Sequence, residues 1–212
     1  QLKSASTATE NYALAKEIEQ NTKYQMGLLQ TRIEQSEQKA GKLELVEKQY
    51  IAASKKTKDE STQLNNIVEA QHTLAERLNE KVNYYMLLQE QTLLQSKLYD
   101  LQAVNLQKQA NNAKLQEEKE LIYKQQLRAK ANAINYKLRA VNANNLFQYH
   151  NKLYALNYQE YIELIQYQQK KEDAKTIASI TEKKNAATQN LNPVHDAAID
   201  SLTTLEEDLR ID

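Results

Sequence analysis

Turn-forming residues are nearly missing from this chain. Two glycines (Gly27 and Gly41) and one proline (Pro193) are all that punctuate its 212 residues. A fold of many short elements needs such residues at most of its reversals, so few reversals and long elements are expected. The body is rich in Gln, Glu, Lys, Leu and Ala, which favour helix, and poor in the Val, Ile, Phe and Trp that favour strands. No alternating strand pattern is sustained. The fold class expected is all-α: an elongated bundle of three or four long helices with coiled-coil-like packing, plus a short acidic C-terminal helix.

Taken in order, residues 1–9 are small and polar and read as a flexible N-terminus, and residues 10–189 form the long-helix bundle. The first helical run carries Leu14, Ile18, Met26, Leu29, Ile33, Leu43, Val46 and Tyr50, with weak polar turns around Asn21 and Ser36. Gly27 and Gly41 either bend this run or let another backbone come close. A break is expected within 54–61, where Thr57 and Glu60 have capping-box spacing. The next run places Leu64, Ile67, Leu74, Leu78, Val82 and Tyr85, then Leu94, Leu98, Leu101 and Val104, in mixed steps of three and four. A slip falls between, near Val82 to Leu88, where Tyr84 to Leu88 form an apolar girdle suited to a bundle interior. Asn111-Asn112 and the cluster Asn142, Asn144 and Asn145 are candidate turns, and the first is preferred as the place where the chain folds back. Residues 190–193 form a break, because the residue before Pro193 is pushed away from helical backbone. Residues 194–212 then form the short acidic helix, apolar at Val194, Ala198, Leu202, Leu205 and Leu209.

The stretch from Leu121 to Gln169 has unusual surfaces. No Asp or Glu precedes Glu160 within it, and it holds more than half of the chain's 13 tyrosines. At about 100° per residue, Leu127, Ile134, Leu138, Val141, Tyr149, Leu153 and Leu156 share one stripe. Tyr136, Phe147, Tyr154, Tyr158 and Tyr161 share another, read as an assembly interface because tyrosine buries area at low entropy cost while tolerating a wet edge. Lys124, Arg128, Lys130, Lys137 and Arg139 flank the first stripe, as partner-selecting charges flank a coiled-coil seam. The acidic last helix, with Asp196, Asp200, Glu206, Glu207 and Asp208, supplies the opposite sign. It is expected to dock beside these basic flanks, in the same copy or another.

Little in the sequence points to catalysis. Formal net charge is +0 and no cysteine is present, so there is no thiol nucleophile, no disulfide framework and no zinc-thiolate site. Zero net charge also gives no global reason to expect nucleic acid or an anionic membrane as partner, and it favours self-association. Glu69 and His72 have the Glu-X-X-His spacing of di-iron bundles, but neither His150 nor His195 supplies a second such pair, so no metal centre is expected. Phosphate-binding glycine loops, zinc-protease motifs and nucleophile elbows are also missing. No cofactor is expected. The cluster Asp196, Asp200, Glu206, Glu207 and Asp208 is a candidate weak calcium ligand set, although it lacks EF-hand spacing. No apolar run approaches the roughly 20 residues needed to span a bilayer, and neither a nucleic-acid nor a small-molecule partner is expected.

The cysteine-free, Gln-rich and Asn-rich body, the heptad-like run Leu94, Leu98, Leu101, the start at Gln1 and the acidic end Glu206 to Asp212 resemble, in composition, the matrix proteins of ciliate extrusomes, the trichocyst type of secretory granule. That resemblance implies a processed helical polypeptide packing into an ordered array that expands on calcium-triggered release, in a secretory granule or outside the cell. Near-neutral charge departs from the acidic character expected of that group, and no functional residue carries over. The function expected is structural: a self-assembling subunit of a filament, lattice or granule-type matrix, with itself or homologous helical proteins as partners. A helical adaptor for another protein or a membrane is the alternative, and a helical pore-forming toxin a further one.

Overall fold

The computed structural model describes residues 8–170 and 174–197. It is all-α, with no strand among the described residues. Helix α1 spans Ala8–Lys56, α2 Glu60–Asn112, α3 Gln116–Lys170 and α4 Ala174–Gln189. Residues 192–197 are helical again after a turn at Asn190 and Leu191. Of the expected flexible N-terminus, residues 1–7 lie outside the described residues, as do 198–212 of the expected acidic helix.

The reversals occur where local chemistry stops a helix. Between α1 and α2 the cap is Asp59 rather than Thr57. Asp59 Oδ2 accepts from the Thr62 backbone N–H at 2.8 Å and also from its hydroxyl, relieving donors that the first turn of α2 cannot satisfy itself. These bonds hold the Asp59 carboxyl below its usual range. Thr57 Oγ1 instead accepts from the Asp59 backbone N–H at 3.3 Å. The second reversal follows Asn112. Before Pro193, the Leu191 backbone N–H bonds Thr188 O at 3.0 Å. Leu191 O then accepts from His195 N at 3.2 Å, which leaves Pro193 in a first turn where its missing N–H costs nothing.

Other expected interruptions do not occur. α1 runs through Asn21 and Ser36, and α3 runs through Asn142, Asn144 and Asn145. Gly27 and Gly41 are exposed, and nothing lies within 4 Å of where a Cβ would stand at either. Neither glycine admits a neighbouring backbone.

Two compact units divide the chain. The described part of the first comprises residues 8–32 of α1, 87–142 of α2 and α3. Gln91 Nε2 donates to Gln30 Oε1 at 2.7 Å between α1 and α2. α2 and α3 run antiparallel: Tyr99 stacks on Tyr136 at 5.5 Å, and Gln126 Nε2 donates to Gln107 Oε1 at 2.7 Å. Their seam is mostly small. Ala103, Ala110, Ala129, Ala133 and Ala140 are all at most 4% exposed, and Ser96, equally buried, donates its hydroxyl to Ala133 O at 2.9 Å. Leu106 and Ile122 add larger side chains to this core.

The second unit comprises residues 33–86, 143–170 and 174–197. Ser36 Oγ donates to Glu80 O at 2.8 Å, and Lys39 pairs with the Glu80 carboxylate at 2.5 Å. Arg77 Nε lies 2.9 Å from Glu47 Oε2. Gln71 bonds Asn157 across α2 and α3, and α4 packs on α3 through Glu160. Val68, Ala75, Leu78, Val82 and Leu164 are buried between these elements.

In every long helix the inward residues follow an unbroken alternation of three and four, the 3.5-residue repeat that keeps one face toward its neighbours along a long helix. On α2 it reads Leu78, Val82, Tyr85, Gln89, Thr92, Ser96 and Tyr99, none of them exposed. The slip expected near Val82 to Leu88 is therefore not there, because Gln89, Thr92 and Ser96 carry the seam on. Of the girdle expected there, Leu87 is buried, Tyr84, Tyr85 and Leu88 are half-buried, and Met86 is 45% exposed. On α3 the seam is Ile122, Gln126, Ala129, Ala133, Tyr136 and Ala140 in the first unit, and Ala143, Phe147, His150, Tyr154, Asn157, Tyr161 and Leu164 in the second. The apolar stripe expected there divides: Leu127, Ile134 and Val141 are 56%, 44% and 49% exposed, whereas Leu138, Tyr149, Leu153 and Leu156 are half-buried. In the first unit the small seam positions Ala129, Ala133 and Ala140 are interspersed with the larger Ile122, Gln126 and Tyr136.

Candidate functional site

The α3 seam also decides where the expected interface tyrosines go. In the first unit, Tyr136 is half-buried against Tyr99, and the guanidinium of Arg139 stands 5.1 Å over its ring. In the second, Phe147, Tyr154 and Tyr161 are half-buried, and Tyr161 stacks on His72 with centroids 4.7 Å apart. Tyr158 alone of the five is exposed, at 44%. It lies 5.8 Å from Tyr154 and 6.0 Å from Tyr161.

The basic set divides similarly. Lys124, Arg128 and Lys130 are exposed on α3. Lys137 pairs with Asp100 of α2 at 3.1 Å. What these residues border is the row Leu127, Ile134 and Val141, one residue every two helical turns, open to solvent in the first unit. These three belong to the longer stripe expected from the sequence spacing. The row is a set of three exposed apolar residues at heptad spacing on a helix that already has a complete seam.

Polar groups concentrate in the second unit. His150 is 8% exposed, between the rings of Tyr85 at 4.8 Å and Tyr149 at 5.1 Å, with Nδ1 2.9 Å from Leu146 O. In the neutral ring Nδ1 is the donor to that carbonyl. Burial pushes its pKa down, and Lys81 and His195 add to that effect against the opposing Leu146 bond. Tyr149 reaches the last described segment, donating its hydroxyl to Asn192 Oδ1 at 2.7 Å and packing its ring 4.2 Å from His195. Burial and the nearby Asp196 raise the Tyr149 pKa. His195 Nδ1 lies 3.0 Å from Asp196 Oδ1.

Glu160 of α3, 4% exposed, lies 3.0 Å from Lys184 Nζ and accepts from the Thr181 hydroxyl at 3.0 Å. This pair fastens α4, and sequence reading missed it. The signal available was Glu160 itself, the first acid after a long acid-free stretch.

Among the described residues no group of three or more His, Cys, Asp or Glu is arranged to hold a metal ion. Glu69 is exposed, and His72 instead faces Tyr161 and lies 3.9 Å from Glu76. Of the acidic cluster considered for calcium, Asp196 is described and the remainder lies outside the described residues. Among the described residues no helix is long and apolar enough to cross a membrane. Comparison with protein-family models, curated proteins and solved structures finds no match for the chain.

Proposed function

We propose that this chain is a structural, non-enzymatic protein that assembles with further copies of itself or with homologous helical chains into a filament, lattice or granule-type matrix. The observation that carries this reading is the exposed row Leu127, Ile134 and Val141. Its seven-residue spacing presents a second coiled-coil face to a partner helix, and its flanking Lys124, Arg128 and Lys130 can choose that partner by charge. A second copy suits the row because the chain has no net charge to keep copies apart. The extrusome-type matrix is one setting in which such a subunit works.

Light scattering across a concentration series, with electron microscopy at low and high salt, tests the proposal. Particle mass should grow with concentration, and the triple variant Leu127→Gln, Ile134→Gln, Val141→Gln should stay monomeric while keeping its helix content. A wild-type chain that is monomeric at every concentration and salt tested would sink the reading.

A further inference from the structure

The exposed row on α3 is longer than its three apolar members. At alternating steps of three and four the same face takes in Lys130 and Lys137 between Leu127, Ile134 and Val141. Toward the start of the helix it takes in Tyr123, Glu120 and Gln116, and every one of these positions is exposed. All of them belong to the first unit. They make a second heptad strip, unbroken from Gln116 to Val141, on a helix whose other face holds the α2 seam. Gln126 and Ala133 on one side of it are buried, and on the other Ala131 is buried and Leu138 half-buried. The strip between them is what α3 leaves for a partner.

The two halves of the strip differ in charge. The first carries its acid, Glu120, and the ring of Tyr123, 43% exposed. The second carries its cations, Lys130 and Lys137, between the apolar residues. Two copies laid parallel and in register set each position against itself, which brings Glu120 to Glu120 and each lysine to its own counterpart. Such like-charge contacts select against a pairing. Laid antiparallel about a two-fold axis level with Arg128 and Ala129, the first half of each strip meets the second half of the other. Glu120 then meets Lys137, Tyr123 meets Ile134, Gln116 meets Val141, and Leu127 meets the alkyl stem of Lys130. A shift of one heptad in one direction sets Lys137 and Val141 against residues that precede α3. The opposite shift moves Glu120 past Val141 to the level of Asn144. Lys137 already pairs with Asp100 at 3.1 Å, but both side chains are more than half exposed, and an ammonium with three donors can take a second carboxylate.

We propose that the strip from Gln116 to Val141 is closed by the same strip of a second copy, antiparallel, with Tyr123 on the partner's Ile134 and Glu120 beside the partner's Lys137. Because the contact is isologous, each of these pairs occurs twice. The pairing rests on the self-assembly proposed above, for which it names the partner face and its direction.

The chain has no cysteine, so introduced thiols report the pairing. Two full-length single variants, Tyr123→Cys and Ile134→Cys, are mixed in equal amounts and oxidised at a concentration where the wild type assembles. Disulfides joining position 123 of one chain to position 134 of another should exceed either same-position disulfide at least about tenfold, since same-position residues would stand about 16 Å apart along the helices. An excess of same-position disulfides overturns the pairing, and so does the lack of any disulfide in particles that light scattering shows to be assembled. A second measurement leaves the apolar residues in place. Glu120→Lys should weaken self-association roughly tenfold, because it turns two attractive contacts per dimer repulsive, and an equal amount of Lys137→Glu chain should restore it. Unchanged association of Glu120→Lys overturns the pairing. A wild type that never assembles removes self-assembly and this pairing together, whereas assembly with the wrong disulfides removes the pairing alone.

Discussion

The side-chain amide of Gln71 donates to two oxygens of Asn157 at once, the backbone carbonyl at 2.9 Å and the side-chain carbonyl at 3.1 Å. Both residues occupy seam positions, on α2 and α3, and both are buried. Asn157 is itself held by donation from its Nδ2 to Leu153 O at 2.8 Å. A buried polar pair of this kind adds modest stability when made but is costly when half-removed, so it fixes register more than it adds strength.

Gln71→Leu should therefore destabilise the fold by about 1–3 kcal/mol, the cost of leaving a buried acceptor unmade. The double variant Gln71→Leu, Asn157→Leu should recover most of that loss. Urea unfolding midpoints for the two singles and the double decide it. A double variant as unstable as the two singles combined would show that the pair is not coupled.

The Glu160 and Lys184 pair follows the same logic with larger stakes. Lys184→Met leaves a carboxylate that is 4% exposed with only the Thr181 hydroxyl for company. The expected loss is about 3–5 kcal/mol, and Glu160→Leu with Lys184→Met should bring stability back near wild type. Because this pair fastens α4, amide exchange in residues 176–189 should rise in the single variant and fall back in the double.

The helical fold is legible in the sequence because its evidence is negative and cumulative: Gly and Pro are nearly absent, and helix formers fill what remains. The α2–α3 reversal is also legible, since Asn111 and Asn112 are tolerant of turns and no strong seam residue follows until Ile122. The seam was harder to find, for a physical reason. Large apolar residues mark a seam only where they fill most of its positions. Here Ala129, Ala133 and Ala140 line the contact, and polar residues such as Gln89, Ser96, His150 and Asn157 continue it. A reading weighted by side-chain size thus passes from the true seam to Leu127, Ile134 and Val141. The tyrosines are divided by the same seam: Tyr136 and Tyr161 fill seam positions against Tyr99 and His72, and Tyr158 is exposed.

Acid should expose the buried histidine as a point of weakness. The His150 pKa in the fold lies below its ordinary 6.5, so above that pH the ring is neutral in both states and no difference arises. As pH falls below it, the unfolded chain takes up a proton that the folded chain resists. Stability is lost until the pH has passed through the folded value. Facing His150 are Tyr85 from α2, Tyr149 on its own helix, and the positive or titrating groups Lys81 and His195. His150→Phe should narrow the gap between thermal midpoints at pH 7.5 and 5.5. A gap as wide in the variant as in wild type would assign the acid sensitivity to other groups.

Two adjacent residues of α3 separate the alternative seams most sharply. Ala133 is 1% exposed and takes the Ser96 hydroxyl on its carbonyl, whereas Ile134 is 44% exposed. Ala133→Leu adds apolar bulk at a site with no room, and should cost about 1–3 kcal/mol through overpacking despite leucine's good helix propensity. Ile134→Ala removes apolar bulk where solvent already reaches, and should change monomer stability by no more than about 0.5 kcal/mol. Both substitutions run against the simple rule that larger apolar residues stabilise a coiled coil. Chemical unfolding at a concentration too low for assembly measures both. The reverse ranking, with Ile134→Ala costing the roughly 2–5 kcal/mol of a core truncation and Ala133→Leu tolerated, would mean that α3 turns its other face inward.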